Sequence, residues 1–299
     1  MTNEEYLVKI LESQTLAPDG EEVKALRQHR DDVESLLLAE FEKSNPTIRY
    51  GGSKAKGTMI KECYDLDVIC YFGSGDTGAG ETLADIYKNS RTALQKAYLV
   101  EEKSSALRLR SNEMTTYRTD FHIDVIPGRF TDGTRSDAFL YISSGEKERL
   151  KTNLDVHIKY VRDSGFTDPI RLVKLWGVRQ GLRVRSFVLE LLVIKILDGS
   201  VSRKLEGQLG AVLKFMRDHK DGLCVEDPAN PKGNDLSSCL DDSVRDALQS
   251  AAKQTLASVE YTGWESVFGA AQSASRSERV AAIRTAAASI SSPARPWSK

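Results

Sequence analysis

The hydrophobic pattern of this chain changes near residue 155. Before that point strand-like segments alternate with helical ones, and after it apolar residues recur only at helical spacing. The predicted strands are residues 47–50, 65–72, 106–110 and 119–126, the last one closed by Pro127 and Gly128, with helices at 21–42 and 81–99. The predicted helices of the second half are residues 158–178, 186–197 and 205–215, followed by a weak helix and tail over 270–299. The pattern predicts an α+β protein with a mixed-sheet lobe over residues 1–155 and a helical lobe over residues 156–299.

The charges of the chain nearly balance, since it has 42 basic and 43 acidic residues and a formal net charge of −1. Such a chain is not expected to coat long nucleic acid or an anionic membrane, although a local site for a small phosphorylated ligand is compatible with it. The four cysteines form no CxxC pair and have no histidine at zinc spacing, so neither disulfides nor a zinc site is expected. The acidic N-terminus and the absence of an apolar run of about 20 residues predict a cytoplasmic protein without a membrane span.

Three aspartates lie in predicted strands. Asp65 and Asp67 stand two positions apart at the start of one strand, so their side chains are expected on the same face, about 7 Å apart along the chain. Asp124 lies in an otherwise apolar strand, where an acid needs a partner that a neighbouring metal ion would supply. We therefore predict that Asp65, Asp67 and Asp124 are catalytic and bind two Mg²⁺ ions, with Mn²⁺ as an alternative.

A turn-rich segment precedes the first two acids, with the sequence Gly51-Gly52-Ser53-Lys54-Ala55-Lys56-Gly57-Thr58. Its glycines let backbone amides approach phosphate oxygens closely, and its serine adds a hydroxyl donor. The segment is not a Walker A loop, because the pattern GxxxxGK[ST] is absent. It predicts a nucleotide-binding loop that includes Gly52, Ser53, Lys56 and Thr58.

A lone Asp-x-Asp occurs often by chance at a strand edge or turn. More specific is the order of Gly-Gly-Ser, Lys-Gly-Thr, Asp-Leu-Asp and then a strand aspartate 57 residues later. This order resembles the polymerase-β-type nucleotidyltransferase superfamily. In the second half, residues 169–176 and 186–192 resemble the helical lobe of 2'-5'-oligoadenylate synthetases and, more closely, of bacterial cGAS/DncV-like nucleotidyltransferases. Residues 227–234 are similar to an Asp-Pro-x-Asn-Pro stretch of that bacterial group.

The resemblance implies a bilobed fold with the active site in the cleft, and it implies that Lys174 and Ser186 contact the donor triphosphate. Without the resemblance, Lys174 would be interpreted as a solvated helix charge and Ser186 as the N-cap of a helix that begins at Phe187. Lys232-Gly233-Asn234-Asp235 departs from the family pattern, which commonly has a pair of asparagines there, so the role of Asn234 stays open. We interpret Asp227 as a cap or turn former.

The resemblance also implies an activity, namely template-independent joining of nucleoside triphosphates, ATP among them, into a cyclic di- or trinucleotide second messenger for bacterial anti-phage defence. It further implies a regulatory protein partner and an effector that senses the product. Activation by double-stranded DNA is not expected, because we find no zinc-binding insertion. The alternatives are nucleotidyl transfer to a tRNA 3' end or a protein, linear 2'-5' oligoadenylate synthesis, and a non-catalytic nucleotide-binding protein. The sequence leaves open the bases, linkage, ring size, activator and oligomeric state.

Overall fold

The computed structural model describes residues 1–17, 19–111, 122–143, 147–200 and 202–270. Its helices are α1 (Asn3–Ser13), α2 (Glu21–Glu40), α3 (Gly52–Lys56), α4 (Leu83–Leu94), α5 (Leu154–Arg162), α6 (Thr167–Arg179), α7 (Ser186–Leu197), α8 (Leu205–Asp218), α9 (Asp242–Thr262) and α10 (Glu265–Phe268). Its strands are β1 (Thr47–Tyr50), β2 (Asp65–Phe72), β3 (Tyr98–Glu102), β4 (Leu107–Ser111), β5 (His122–Phe130), β6 (Ala138–Tyr141) and β7 (Arg149–Thr152). This confirms the predicted α+β class. The weak helix predicted within residues 270–299 lies almost wholly outside the described residues.

The strands form one mixed sheet in the order β1-β2-β5-β4-β3, and β6 joins β5 to β7. Only the central pair, β2 and β5, runs parallel among the pairings of these seven strands, and its register sets Asp67 opposite Asp124. Directly opposed residues on neighbouring strands share a face of the sheet. The central pair therefore brings two of the three predicted catalytic acids together.

Strand β5 does not end at Pro127 and Gly128, which corrects the prediction that these residues close it. The strand continues to Phe130, with Pro127 opposite Cys70 and Gly128 between Tyr71 on one side and Leu140 on the other. A Cβ at Gly128 would stand 2.7 Å from the Leu140 side chain and 2.8 Å from the Phe139 carbonyl oxygen. The glycine thus allows close packing within a strand rather than a turn.

One hydrophobic core lies between the sheet and the helices α2 and α4. Val33, Leu37 and Phe41 extend from α2 toward buried residues of β2, where the Phe41 and Phe72 rings meet edge to face with centroids 5.0 Å apart. Burial of side chains of this size stabilises the fold by about 1.5–3 kcal/mol each. Burial also raises the pKa of the Cys70 thiol to about 12.

A second core joins the helices of the C-terminal half to α1. Tyr6, Leu7, Ile10 and Leu11 of α1 pack against α6 and α8 in a core that also contains residues of α7, with Trp176 completely buried in it. The division of the chain at residue 155 stays a prediction as a domain boundary. Its assignment of the N-terminal residues to the first lobe does not match this packing, because the apolar face of α1 lies in the helical core.

Several element boundaries differ from the predictions. The helix predicted over 81–99 is α4 followed by β3, and the helix predicted over 158–178 is two helices, α5 and α6. Gly165 separates α5 from α6 with φ of +74°, a left-handed conformation that interrupts a right-handed helix. Strands β6 and β7 and helix α9 were not predicted. None of the described helices has the length and apolarity needed to cross a membrane.

Candidate active site

Asp67 and Asp124 lie on neighbouring strands at the centre of the sheet. They face each other in the parallel β2–β5 register, and both side chains are partly exposed. The backbone of Asp65 pairs with that of His122 two positions earlier, while the side chain of Asp65 lies outside the described part of the structure. The predicted meeting of Asp67 with Asp124 is thus observed at the level of register, and the place of the Asp65 carboxylate stays a prediction.

Arg108 of β4 is the charged partner of Asp124. Its Nε donates to Oδ1 at 2.8 Å and its second terminal nitrogen donates to Oδ2 at 2.7 Å, so both carboxylate oxygens accept from one guanidinium. The two residues are register partners on β4 and β5, and the side chains are only 23% and 15% exposed. Sequence analysis did not identify this pairing. An arginine alternating with leucines in a strand candidate was the available signal, but nothing local gave its partner.

The glycine loop packs directly on Asp67. The Gly51 amide donates to the Asp67 carbonyl oxygen at 3.0 Å, and Gly52 has φ of +68°. A Cβ at Gly52 would stand 1.8 Å from Oδ2 of Asp67, a distance that no side chain tolerates. Ser53 follows, partly exposed, as the second residue of the short helix α3. The loop and the carboxylate therefore form one local structure, and glycine at position 52 is required for it.

The predicted nucleotide-binding residues Lys56, Thr58 and Lys174 gather around Glu190 of α7. Lys56 Nζ lies 2.5 Å from Glu190 Oε2, the Thr58 hydroxyl donates to Oε1 at 2.5 Å, and Lys174 Nζ donates to the Thr58 carbonyl oxygen at 3.0 Å. All four residues are buried. The interpretation of Lys174 as a solvated helix charge is therefore wrong. Glu190 was missed because its hydrogen-bond partners Lys56 and Thr58 lie more than a hundred residues earlier in the chain.

Ser186 is the first residue of α7, and it is exposed. The N-cap is Arg185, without a side-chain capping bond, so the interpretation of Ser186 as the N-cap is wrong by one residue. The next residue, Phe187, presents its ring to Lys56, with Nζ 5.0 Å from the ring centroid. Ser186 therefore stands next to the residue that contacts the glycine-loop helix, and its predicted contact with triphosphate stays a prediction.

Asp227 forms a turn, as predicted. Its Oδ1 accepts from the Ala229 amide at 2.8 Å and lies 2.7 Å from Nε2 of His157, while its Oδ2 accepts from the Asn234 side chain at 2.6 Å. Asn234 also donates to the Lys151 carbonyl oxygen at 2.8 Å. In these contacts Asn234 has a structural role, because it joins the turn at Asp227 to strand β7.

Burial raises the pKa of Asp227, but hydrogen bonds from His157, Asn234 and Ala229 outweigh it and hold the pKa below its ordinary value. A lowered folded-state pKa contributes stability above the unfolded pKa of about 3.9, and that stability is lost as pH falls through the folded value. We expect Asp227→Asn to lower the free energy of unfolding at pH 7 by about 1–3 kcal/mol, with a smaller loss near pH 3. Urea unfolding at both pH values measures this. The exposed neighbour variant Glu226→Gln is the control, and an equal loss for Asp227→Asn at both pH values would contradict the prediction.

The acidic side chains of the site have the kind of ligand atoms that bind divalent cations. Asp67 and Asp124 offer carboxylate oxygens, the ligands that Mg²⁺ prefers. Both Asp124 oxygens accept from the Arg108 guanidinium, so a bound cation would share this carboxylate with Arg108. Within the side chains that the structure describes, no three His, Cys, Asp or Glu residues already meet as a metal site. The third carboxylate, from Asp65, is outside that description.

The chain resembles curated enzymes over most of its length. It is 24% identical over 282 residues to the CBASS oligonucleotide cyclase CdnC of Escherichia coli strain KTE188, a match that covers 83% of this chain and 87% of the relative. It is 22% identical over 261 residues to the cyclic AMP-AMP-AMP synthase of E. coli strain MS 115-1, covering 73% of this chain and 80% of the relative. No protein-family profile matches the chain.

Solved structures share the fold. E. coli MS115-1 CdnC in its HORMA-deltaN complex superposes with a TM-score of 0.67 at 18% identity, covering 91% of this chain and 98% of that one. Vibrio cholerae DncV cyclic AMP-GMP synthase, bound to the linear intermediate 5' pppA(3',5')pG, gives a TM-score of 0.68 at 16% identity, covering 93% and 97%. The chain is homologous to CBASS CdnC and has the bilobed α+β fold of the cGAS/DncV-like nucleotidyltransferases.

Proposed function

We propose that this protein is a metal-dependent nucleotidyltransferase that converts nucleoside triphosphates into a cyclic di- or trinucleotide second messenger, with release of pyrophosphate, in anti-phage defence. The observation that carries the proposal is the joining of Asp67, Asp124 and the glycine loop at the centre of the sheet. The homology to an oligonucleotide cyclase supports ring closure, which the motif spacing alone does not provide. The cytoplasm, where nucleoside triphosphates are available, is the compartment that this activity requires.

In the mechanism, the glycine loop holds the triphosphate tail of the donor nucleotide next to Asp67. Asp65, Asp67 and Asp124 would hold the cations, and Asp124 would accept the proton of the attacking sugar hydroxyl as its oxygen bonds to the donor α-phosphorus and pyrophosphate leaves. Two Mg²⁺ ions, when bound, make that hydroxyl more acidic and offset the charge on the departing pyrophosphate. Ser186 and Lys174 contact the donor phosphates from the helical lobe. A second transfer on the linear intermediate closes a dinucleotide ring, and a trinucleotide ring needs a third.

ATP is the substrate that we propose first, because the relatives are named as a cyclic AMP-AMP-AMP synthase and a cyclic AMP-GMP synthase. A regulatory protein partner is proposed because the CdnC structure is a complex with a HORMA protein. An effector that binds the product would complete the signalling pathway. No feature of the described structure bears on double-stranded DNA, and the expectation that DNA does not activate the enzyme stays a prediction.

The test of the proposal is product analysis. The purified protein is incubated with Mg²⁺ and four nucleoside triphosphates, each α-³²P-labelled in turn, and the products are treated with phosphatase and resolved. Phosphatase-resistant label whose mass corresponds to a ring supports the proposal. Resistant label in a linear product would favour 2'-5' oligoadenylate synthesis instead. Label that appears on added tRNA, resolved on a gel, would favour the tRNA transferase alternative.

Arg108 gives a test of the metal site that does not depend on turnover. Removal of its positive charge from Asp124 leaves the carboxylate to be compensated by a cation alone. We expect Arg108→Ala to tighten Mn²⁺ binding by about fivefold, which corresponds to about 1 kcal/mol for one partly exposed charge. Titration of the protein with Mn²⁺, followed by electron paramagnetic resonance, measures the affinity. Arg110→Ala on the same strand, paired with Glu101 rather than Asp124, is the control. Unchanged or weaker Mn²⁺ binding by Arg108→Ala would argue against Asp124 as a ligand.

A further inference from the structure

A buried charged cluster connects the two halves of the molecule. Glu190 of α7 is completely buried, and it contacts Lys56 at the end of α3 and Thr58 two residues later. Lys174 of α6 reaches the same cluster, with Nζ 3.7 Å from Glu190 Oε1. We call these four residues the Glu190 cluster. A carboxylate held in such surroundings is retained only with good partners, because an uncompensated buried charge is strongly destabilising.

The Glu190 cluster holds one end of the helix whose other end lies on Asp67. Helix α3 has only five residues, from Gly52 to Lys56. Gly52 packs against the Asp67 carboxylate, as the 1.8 Å distance from a Cβ at that position shows, and Lys56 is fixed between Glu190 and the Phe187 ring. A helix this short has little stability of its own. Its position over Asp67 therefore depends on the contact that anchors Lys56.

A second buried ion pair, between Arg179 of α6 and Glu62, also joins the segment that follows α3 to the helical half of the molecule. It does not involve a residue of α3. Arg179 of α6 donates to Glu62 from Nε at 3.2 Å and from a terminal nitrogen at 2.6 Å, and Gln14 donates to Glu62 at 2.8 Å. Glu62 is 5% exposed, so this pair is as buried as the Lys56–Glu190 pair. It provides a matched comparison, since it has the same kind of interaction and burial but lies six residues beyond the end of α3.

We propose that Glu190 is a positioning residue of the nucleotide site, which acts by holding α3 and its glycine loop against Asp67. Glu190 touches no reacting atom in this role. It sets the place of the backbone amides of Gly52 and Ser53 that receive the triphosphate, through Lys56. The expected effect on nucleotide binding rests on the proposed function. The contact that holds α3 to Glu190 through Lys56 does not, because it is present in the folded chain without nucleotide.

The tether is tested by hydrogen–deuterium exchange of the full chain without nucleotide. Glu190→Gln keeps the side-chain shape but removes the charge that holds Lys56. We expect amide exchange within residues 52–58 to accelerate by about tenfold in Glu190→Gln and to stay within about twofold of wild type in Glu62→Gln. Unchanged exchange in this segment of Glu190→Gln would overturn the proposal.

The consequence for the site is tested by calorimetric binding of α,β-methylene-ATP with Mg²⁺. We expect Glu190→Gln to bind this analogue about tenfold more weakly than wild type, and Glu62→Gln to bind it within about twofold even if both variants unfold at lower temperature. Lys56→Met should reproduce the Glu190→Gln loss, and the double variant should show no further loss, since both changes remove one contact. Equal analogue binding by Glu190→Gln and Glu62→Gln would overturn the positioning role. Failure of the wild type to bind the analogue would instead contradict the proposed function.

Discussion

Replacement of Asp67 by asparagine is expected to lower the rate of pyrophosphate release by about a thousandfold or more. Loss of one metal-binding carboxylate removes several kcal/mol of transition-state stabilisation, and about 4 kcal/mol corresponds to a factor of a thousand. Asparagine has nearly the same shape as aspartate, and Asp67 is partly exposed, so the variant should fold. A coupled pyrophosphate assay, run under conditions in which the wild type turns over, measures the effect.

Asp124→Asn should show a comparable loss, because Asp124 stands opposite Asp67 on the neighbouring strand. The control is Asp132→Asn, which changes an exposed aspartate in the turn between β5 and β6, within the same half of the chain. This control should keep the wild-type rate. Full turnover by the Asp67→Asn variant would end the nucleotidyltransferase account of this site.

Gly52→Ala is expected to lower kcat/KM by about a hundredfold and to destabilise the protein by about 2 kcal/mol or more. The added methyl group would need the space that Oδ2 of Asp67 occupies, 1.8 Å away, and alanine is also strained at φ of +68°. Either the loop or the carboxylate must move, and each movement separates the phosphate-binding amides from the metal ligand. Steady-state kinetics and urea unfolding measure the two effects.

Gly165→Ala separates the clash from the backbone strain. Gly165 has φ of +74°, close to that of Gly52, but nothing lies within 4 Å of a Cβ at this position. Its substitution should therefore cost about 1 kcal/mol of stability from the backbone alone and leave kcat/KM unchanged. If Gly52→Ala behaves like Gly165→Ala in the kinetic measurement, the glycine loop has no part in the site.

The elements that were predicted well carry their signal in adjacent residues. Strand β2 and helix α7 were found at their observed bounds, because β-branched and aromatic residues mark the first and an apolar run marks the second. The expectation that Asp67 and Asp124 lie together came instead from the order of the motifs and the family resemblance, since the local pattern shows only that each is an acid in a predicted strand. Element ends were less accurate, as where the apolar pattern of α4 continues into β3.

The contacts that complete the site could not be predicted from the sequence, because they join distant parts of the chain. Arg108 and Asp124 are 16 residues apart and meet only through the β4–β5 register. Lys56 and Glu190 are separated by 134 residues. The place of α1 in the helical core has the same cause, since an amphipathic helix shows which face is buried but not what covers it.

The central claim is that Asp67 and Asp124 hold divalent cations beside the glycine loop. A crystal of the protein grown with Mn²⁺ and α,β-methylene-ATP tests it directly, through anomalous scattering from manganese. The account predicts anomalous peaks about 2.0–2.5 Å from carboxylate oxygens of both aspartates, with the triphosphate against residues 51–53. Manganese and nucleotide bound away from these two carboxylates would contradict it.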